Sequence, residues 1–186
     1  GDDINGEAAG DNSGASVSLS ADGSVVAIGA NYNDGNGSNS GHVRIFRNIE
    51  GKWEQIGNDI DGEAIYDNSG ESVSLSADGS IVAIGAAWND GNGNNSGHVR
   101  LYKNINNSWI KIGDDINGEA ANDNSGTSLS LSADGSVVAI GAPQNNGNGN
   151  YSGHVRVYQS ESTSGLPSYA LSVSSSSLSE GDTLTT

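Results

Sequence analysis

Acidic and imidazole side chains recur in this chain at fixed spacing. Glu7 and Asp11, Glu63 and Asp67, and Glu119 and Asp123 form three pairs, each running into Asp-Asn-Ser-Gly. Two carboxylates set close together can act as acid and base on a glycosidic bond. An enzyme site is normally single and asymmetric, however, and these pairs are copied. Asp11, Asp67 and Asp123 are therefore expected to cap backbone amides in a turn before a strand. His42, His98 and His154 recur in the same way, each followed by Val-Arg. Three histidines could converge on a metal, but a rotation between successive units would hold equivalent residues apart. Each is expected to pack at the entrance of a strand and bond a nearby turn through Asp22, Asp78 or Asp134. Arg44, Arg100 and Arg156 read as hydrogen-bond donors from one unit to the next, a duty suited to partly buried guanidinium groups.

A second set consists of loops. Asn33-Asp34-Gly35-Asn36-Gly37 and Asn89-Asp90-Gly91-Asn92-Gly93 place hard oxygen donors between glycines, and Asn145-Asn146-Gly147-Asn148-Gly149 is the third copy. Asp34, Asn36, Asp90 and Asn92 could contribute to a calcium site. The bidentate carboxylate that closes a hand-type loop is missing, and the third copy has Asn146 in place of Asp. The competing reading is turn chemistry, in which Asn, Asp and Gly tolerate left-handed backbone. No cofactor is expected beyond that one opening for calcium. The copies differ most at Asn31-Tyr32, Ala87-Trp88 and Pro143-Gln144. Tyr32, Trp88 and Gln144 are thus candidates for ligand contact, since an aromatic face can stack on a sugar ring or a partner side chain.

The elements that must position these residues are read from a repeat. Gly1, Gly57 and Gly113 each open a copy of one sentence, a period of 56 residues. Units of this kind bury their apolar faces only by stacking. In the first copy Val17 and Leu19 alternate with serines, Ala21-Asp22-Gly23 makes a tight turn, and Val25 to Ile28 run without polar interruption as in a strand covered on both faces. Small Gly29 and Ala30 allow a neighbouring backbone to come near. His42 to Phe46 alternate again, and Trp53 to Ile56 complete four strands. The second copy repeats the scheme; the third offers no counterpart of the Trp53 strand. The expected organisation is three units over 1–160 (1–56, 57–112 and 113–160), a polar linker at 161–168 that holds Pro167, and the start of another module at 169–186.

Composition narrows the function. A net charge of −16 and a pI near 4.1 repel phosphate backbones and anionic lipid, so nucleic acid is not expected as a partner. No run approaches the roughly 20 apolar residues of a membrane span, and no membrane insertion is expected. There is no cysteine, which excludes thiolate catalysis, disulfides and Cys-based metal sites. The N-terminus lacks the pattern of a signal peptide, so any export signal would lie outside this chain.

Four antiparallel strands per unit fit one blade of a β-propeller. An all-β propeller built from three blade-like repeats, the third incomplete, is the expected fold, with a β-trefoil as the alternative. Ser125-Gly126-Thr127-Ser128-Leu129, Val138-Ala139-Ile140-Gly141-Ala142-Pro143 and Gly153-His154-Val155-Arg156-Val157-Tyr158 resemble, in that order, the FG-GAP repeats of integrin α-subunit propellers and of large bacterial surface proteins. Gly-Ala-Pro is literal in the third copy and becomes Gly29-Ala30-Asn31 and Gly85-Ala86-Ala87 in the others; Phe-Gly becomes Ser13-Gly14, Ser69-Gly70 and Ser125-Gly126. The resemblance covers about residues 1–160 and implies an extracellular or cell-surface propeller used for adhesion or protein binding. Calcium-binding members carry an Asp-rich loop between the first two strands, whereas this chain has only Asp22 there, so those ligands are not carried over. Ser177-Leu178-Ser179-Glu180-Gly181-Asp182 resembles the opening of a Calx-beta or related immunoglobulin-like module.

The expected function is a non-catalytic adhesion or binding module that presents loops to protein or carbohydrate. The alternatives are a purely structural repeat of a filament or surface layer and a polysaccharide-directed enzyme. Closed propellers have about four to eight blades, so three units are expected to associate with further units, including a second copy of this chain.

Overall fold

The computed structural model describes residues 3–160 and the backbone of 171–173. Thirteen strands form three antiparallel sheets, and no helix occurs among the described residues. Among the described residues no helix is long and apolar enough to cross a membrane. The first sheet has β1 (Ser16–Leu19), β2 (Val25–Ala30), β3 (His42–Ile49) and β4 (Lys52–Gln55) in sequential order, and β5 (Ile60–Asp61) pairs with the opening of β3. The second has β6 (Ser72–Leu75), β7 (Ile81–Ala86), β8 (His98–Ile105) and β9 (Ser108–Asn117). Here β9 runs past a bulge opposite Val99/Leu101 and does the work of β4 and β5 together. Gly57 and Gly113 mark this kink in the two sheets with φ of 72° and 71°, values that glycine adopts without a Cβ clash.

The third sheet has β10 (Ser128–Leu131), β11 (Val137–Ala142), β12 (His154–Ser160) and β13 (Leu171–Val173). From sequence, the third unit has no fourth strand, yet β13 pairs with β12 through Tyr158↔Val173 and Ser160↔Leu171. An unpaired strand edge presents a row of donors and acceptors that takes the next alternating segment of chain. The expected linker at 161–168 and the rest of the expected following module lie outside the described residues. The strands form three separate sheets rather than the single barrel of a trefoil.

The hairpins are specified locally. Asp22 accepts hydrogen bonds from Ser20 Oγ at 2.7 Å, Ser24 N at 2.9 Å and Ser24 Oγ at 2.8 Å, and Asp78 and Asp134 repeat the arrangement. These bonds hold the Asp22 and Asp134 carboxyls down at about 2 and also lower Asp78. Four strands in a flat sheet bury little by themselves, so the cores lie between sheets. Val43 and Ile45 of the first sheet pack with Val73, Leu75, Val82 and Ile84 of the second. Val99 and Leu101 of the second pack with Leu131, Val138 and Ile140 of the third. The uninterrupted Val25 to Ile28 run is explained by its two covered faces: Val25 and Ala27 join the first of these cores, while Val26 and Ile28 pack on the opposite face with Phe46, Ile4 and Trp53.

Backbones nearly touch at the contact. A Cβ on Gly29 would stand 2.0 Å from the Gly70 carbonyl oxygen, and one on Gly85 would stand 2.2 Å from that of Gly126. The same carbonyls accept hydrogen bonds from Ser16 Oγ at 2.7 Å and Ser72 Oγ at 2.6 Å. Gly141, the third equivalent, meets only Ser128 within its own sheet.

Both ends of the stack are open. Val73 is 8% exposed under the first sheet, whereas its equivalent Val17 is 64% exposed. Val43 is fully buried against the second sheet, whereas its equivalent Val155 is 68% exposed. Gly85→Ala is expected to destabilise the chain by about 1–3 kcal/mol, the cost of overpacking a close contact, and Gly141→Ala by clearly less. Urea unfolding of both variants checks this; equal losses would show that the sheet-to-sheet approach is not what demands glycine.

Candidate functional site

The opening segment of each unit reaches across the preceding turn before entering its own sheet. Asp11, Asp67 and Asp123 are buried there. Each accepts from a backbone amide three residues earlier, Ala8, Ala64 or Ala120, at 3.0–3.1 Å, and from the Nδ2 of Asn33, Asn89 or Asn145 at 2.9 Å. They thus tie the opening segment to the loop after the buried strand. Burial pushes the Asp67 carboxyl up, and the amide donors pull the other way.

The Asn/Asp/Gly loops are organised as turns. Asp34 accepts from Asn39 N and Asp90 from Asn95 N, both at 2.7 Å, while Asn146 does the same for Tyr151 N at 2.8 Å. An amide replaces the carboxylate in the third copy, so this position needs an acceptor rather than a charge. Asn36 and Asn92 donate Nδ2 to the carbonyls of Gly62 and Gly118 at 2.7 and 2.8 Å, binding each loop to the next unit. The described His and carboxylate groups that do gather closely enough to share an ion are elsewhere: Glu7, His42 and Asp59, and Glu63, His98 and Asp115.

His42 and His98 open β3 and β8, each opposite the last residue of the buried strand, Ala30 or Ala86. Their expected partners Asp22 and Asp78 are committed to the hairpin serines instead. His42 Nδ1 faces Glu7 Oε2 at 3.8 Å and Asp59 Oδ2 at 4.0 Å, and His154 Nδ1 faces Glu119 Oε2 at 3.7 Å. The error has a physical origin: His42 stands opposite Ala30 at one end of the buried strand, whereas the Asp22 hairpin precedes Val25 at the other. Recurrence of Glu7, Glu63 and Glu119 in phase with the histidines was the signal that could have found the pairing.

The arginines bridge segments. Arg44 donates to the Asn5 carbonyl at 2.7 Å and Arg100 to the Asp61 carbonyl at 2.9 Å. Their second nitrogens face Glu7 at 3.5 Å and Glu63 at 3.0 Å, and Arg156 faces Glu119 at 3.4 Å. Each guanidinium also lies over the ring two residues on, Phe46, Tyr102 or Tyr158, at 5.1–5.6 Å from the centroid, a favourable cation–π placement.

Tyr32, Trp88 and Gln144 all lie in the turn leaving the buried strand and face solvent, Trp88 at 46% exposure. Beside Trp88 the structure shows a group that sequence reading passed over. Glu71 is half-buried, with Oε2 buried and without a hydrogen-bond partner, and burial pushes its carboxyl up while the Trp88 side chain pulls it the other way. Its equivalents are Ala15 and Thr127, so this carboxylate and indole pair exists in the middle unit alone.

Burial, and then the charge on Arg100, lowers His98 from 6.5 to about 4, with Asp115 opposing. Between those values the unfolded chain takes up a proton that the folded chain refuses. Stability therefore falls as pH drops from about 6.5 and levels off near 4. Asp67 and Glu71, raised in the fold, act with the opposite sign as they protonate. Melting temperatures from pH 7 to pH 4 should decline, and less steeply in His98→Gln; parallel curves would assign the slope to other groups.

Comparison with known proteins places these features. No curated protein matches the sequence. A candidate 6-phosphogluconolactonase from Bacteroides uniformis shares the fold with a TM-score of 0.57 at 15% identity, over 85% of this chain and 38% of that one. A hypothetical selenium-binding protein from Sulfolobus tokodaii aligns with a TM-score of 0.49 at 17% identity, over 80% of this chain and 36% of its own. The chain thus spans well under half the length of either structure. Residues 5–46 and 59–102 match the FG-GAP repeat, each stretch beginning in an opening segment and ending within β3 or β8. The first two units of this chain thus each hold a match to the FG-GAP repeat.

Proposed function

We propose that the chain is a run of three β-propeller blades acting as a non-catalytic binding module of a protein exposed outside the cell, with carbohydrate as the partner class. The observation that carries the reading is the Trp88–Glu71 pair. Over a scaffold repeated almost residue for residue, the middle unit alone sets an exposed indole beside a half-buried carboxylate. An indole face packs on the apolar face of a sugar ring, and a carboxylate accepts its hydroxyl hydrogens. Tyr32 offers a second exposed ring at the equivalent place in the first unit.

The propeller reading is supported by the way inner strands meet, β1 against β6 and β6 against β10, and by two sheet interfaces made of equivalent residues. The open faces at Val17 and Leu19 and at Val155 and Val157 are suited to further sheets of the same kind, from a longer chain or from a second copy. FG-GAP repeats favour a binding role over an enzymatic one, and Glu71 has no second carboxylate among the partners that perturb it.

Trp88→Ala and Glu71→Gln should each weaken retention on a glycan array or immobilised polysaccharide. Loss of one stacked aromatic face, roughly 1–2 kcal/mol, corresponds to about five- to thirtyfold for Trp88→Ala. Unchanged retention with an unchanged melting temperature would reject carbohydrate binding at this loop; selective capture of a protein partner instead would reject the ligand class. Light scattering of the chain should give a concentration-dependent mass, reduced to that of one chain by Val155→Lys. A mass equal to one chain at every concentration would reject self-association.

A further inference from the structure

We infer that Glu7, His42 and Asp59 form a binding site for a divalent transition ion, with zinc the fitting probe, and that Glu63, His98 and Asp115 form a weaker copy of it. The three donor atoms of each group lie within 4.8 Å of one another. His42 is 2% exposed, its Nε2 has no hydrogen-bond partner, and its Nδ1 lies beyond hydrogen-bond distance of the two carboxylates it faces. Burying an imidazole with an unpartnered nitrogen is costly; Nε2 is that nitrogen, and Nδ1, which faces both carboxylates, is the one placed to ligate an ion.

The site has outer-shell supports as well as ligands. Glu7 turns Oε1 to Arg44 and Oε2 to His42. Asp59 accepts from Gln55 Nε2 at 2.6 Å through Oδ1 and turns Oδ2 to His42. In each carboxylate one oxygen is anchored by a neighbour and the other is presented to the same imidazole nitrogen. Such anchoring is what orients metal ligands. Tetrahedral zinc would need its donors roughly 3.3 Å apart. Glu7 and Asp59 are partly exposed and have only a short distance to close.

One nitrogen and two carboxylate oxygens suit zinc and its first-row neighbours better than calcium, which takes six to eight oxygens. The three ligands come from an opening segment, the start of a central strand and the segment that follows the fourth strand. An ion there fastens elements distant in sequence. The second group differs at one support: Lys111 pairs with Asp115 where Gln55 serves Asp59. That ammonium repels an incoming cation and ranks the second site lower. By the 56-residue period Leu171 replaces Asp59 and Asp115 in the sequence of the third unit, so no third site is expected.

Calorimetric titration of the chelator-treated chain with zinc chloride near pH 7.5 tests this. One stronger and one weaker equivalent are expected, and cobalt in place of zinc should show visible bands of nitrogen and oxygen ligation. Asp59→Asn should weaken the stronger equivalent by about tenfold or more, with circular dichroism unchanged, while Asp115→Asn leaves it intact. Gln55→Lys, which removes no ligand, should bring the first site down toward the second. Absence of zinc binding, equal binding by Asp59→Asn, or displacement of zinc by millimolar calcium would each overturn the assignment.

Discussion

Everything else in the molecule depends on how closely one sheet can approach the next. The contact is made by backbone, with Gly29 set against the Gly70 carbonyl and Gly85 against that of Gly126, and serine hydroxyls closing on the same oxygens. A methyl group on either glycine would push the sheets apart along the whole length of the contact. Val43 and Ile45, or Val99 and Leu101, would then lose the facing side chains that bury them. The two larger cores lie in these contacts, so the separation set by a missing Cβ decides how much of the apolar pattern becomes stability.

The opening segments follow from that spacing. A chain leaving the outer strand of one sheet must cross to the inner strand of the next, and its polar backbone needs partners on the way. The buried aspartates supply one, accepting from the segment's own amide and from an asparagine of the neighbouring loop. The arginines supply another, donating to the carbonyls of Asn5 and Asp61. Glu7 and Glu63 are drawn toward the guanidinium groups, and this brings them within reach of His42 and His98. The His clusters are therefore a consequence of how crossings are anchored, which is why equivalent residues gather in both of them.

Much of this was legible in the sequence because it is local or periodic. The alternation of Val17 and Leu19, the unbroken Val25 to Ile28 run, the Asp22 turn and the small Gly29-Ala30 pair each encode their structure within a few residues. Partnerships across the repeat boundary were not legible. Asp59 is numbered with the second unit yet faces His42 of the first, and β5 completes a sheet whose other strands precede it. The expected partner of His42, Asp22, belongs to the same unit but sits on the hairpin at the other end of β2. The β12 to β13 pairing was hidden for a related reason: an edge takes whatever alternating segment can reach it, and reach is not written in a motif.

Repetition itself gives a rule for separating support from use. Any group that stacking requires must recur wherever a sheet meets a sheet, as the glycines, serines, aspartates and arginines do. Glu71 fails that test, since its equivalents are alanine and threonine and both units fold to the same strands without it. Its half-buried carboxyl is raised by desolvation, which means that its charged form is less stable there than in water. A group that weakens the fold and has no counterpart in equivalent units contributes nothing to holding the sheets together. The same reasoning places Trp88 outside the scaffold, because tyrosine and glutamine occupy its turn elsewhere with the backbone unchanged. What distinguishes the middle unit is thus confined to one corner, where an exposed indole lies beside a half-buried carboxylate.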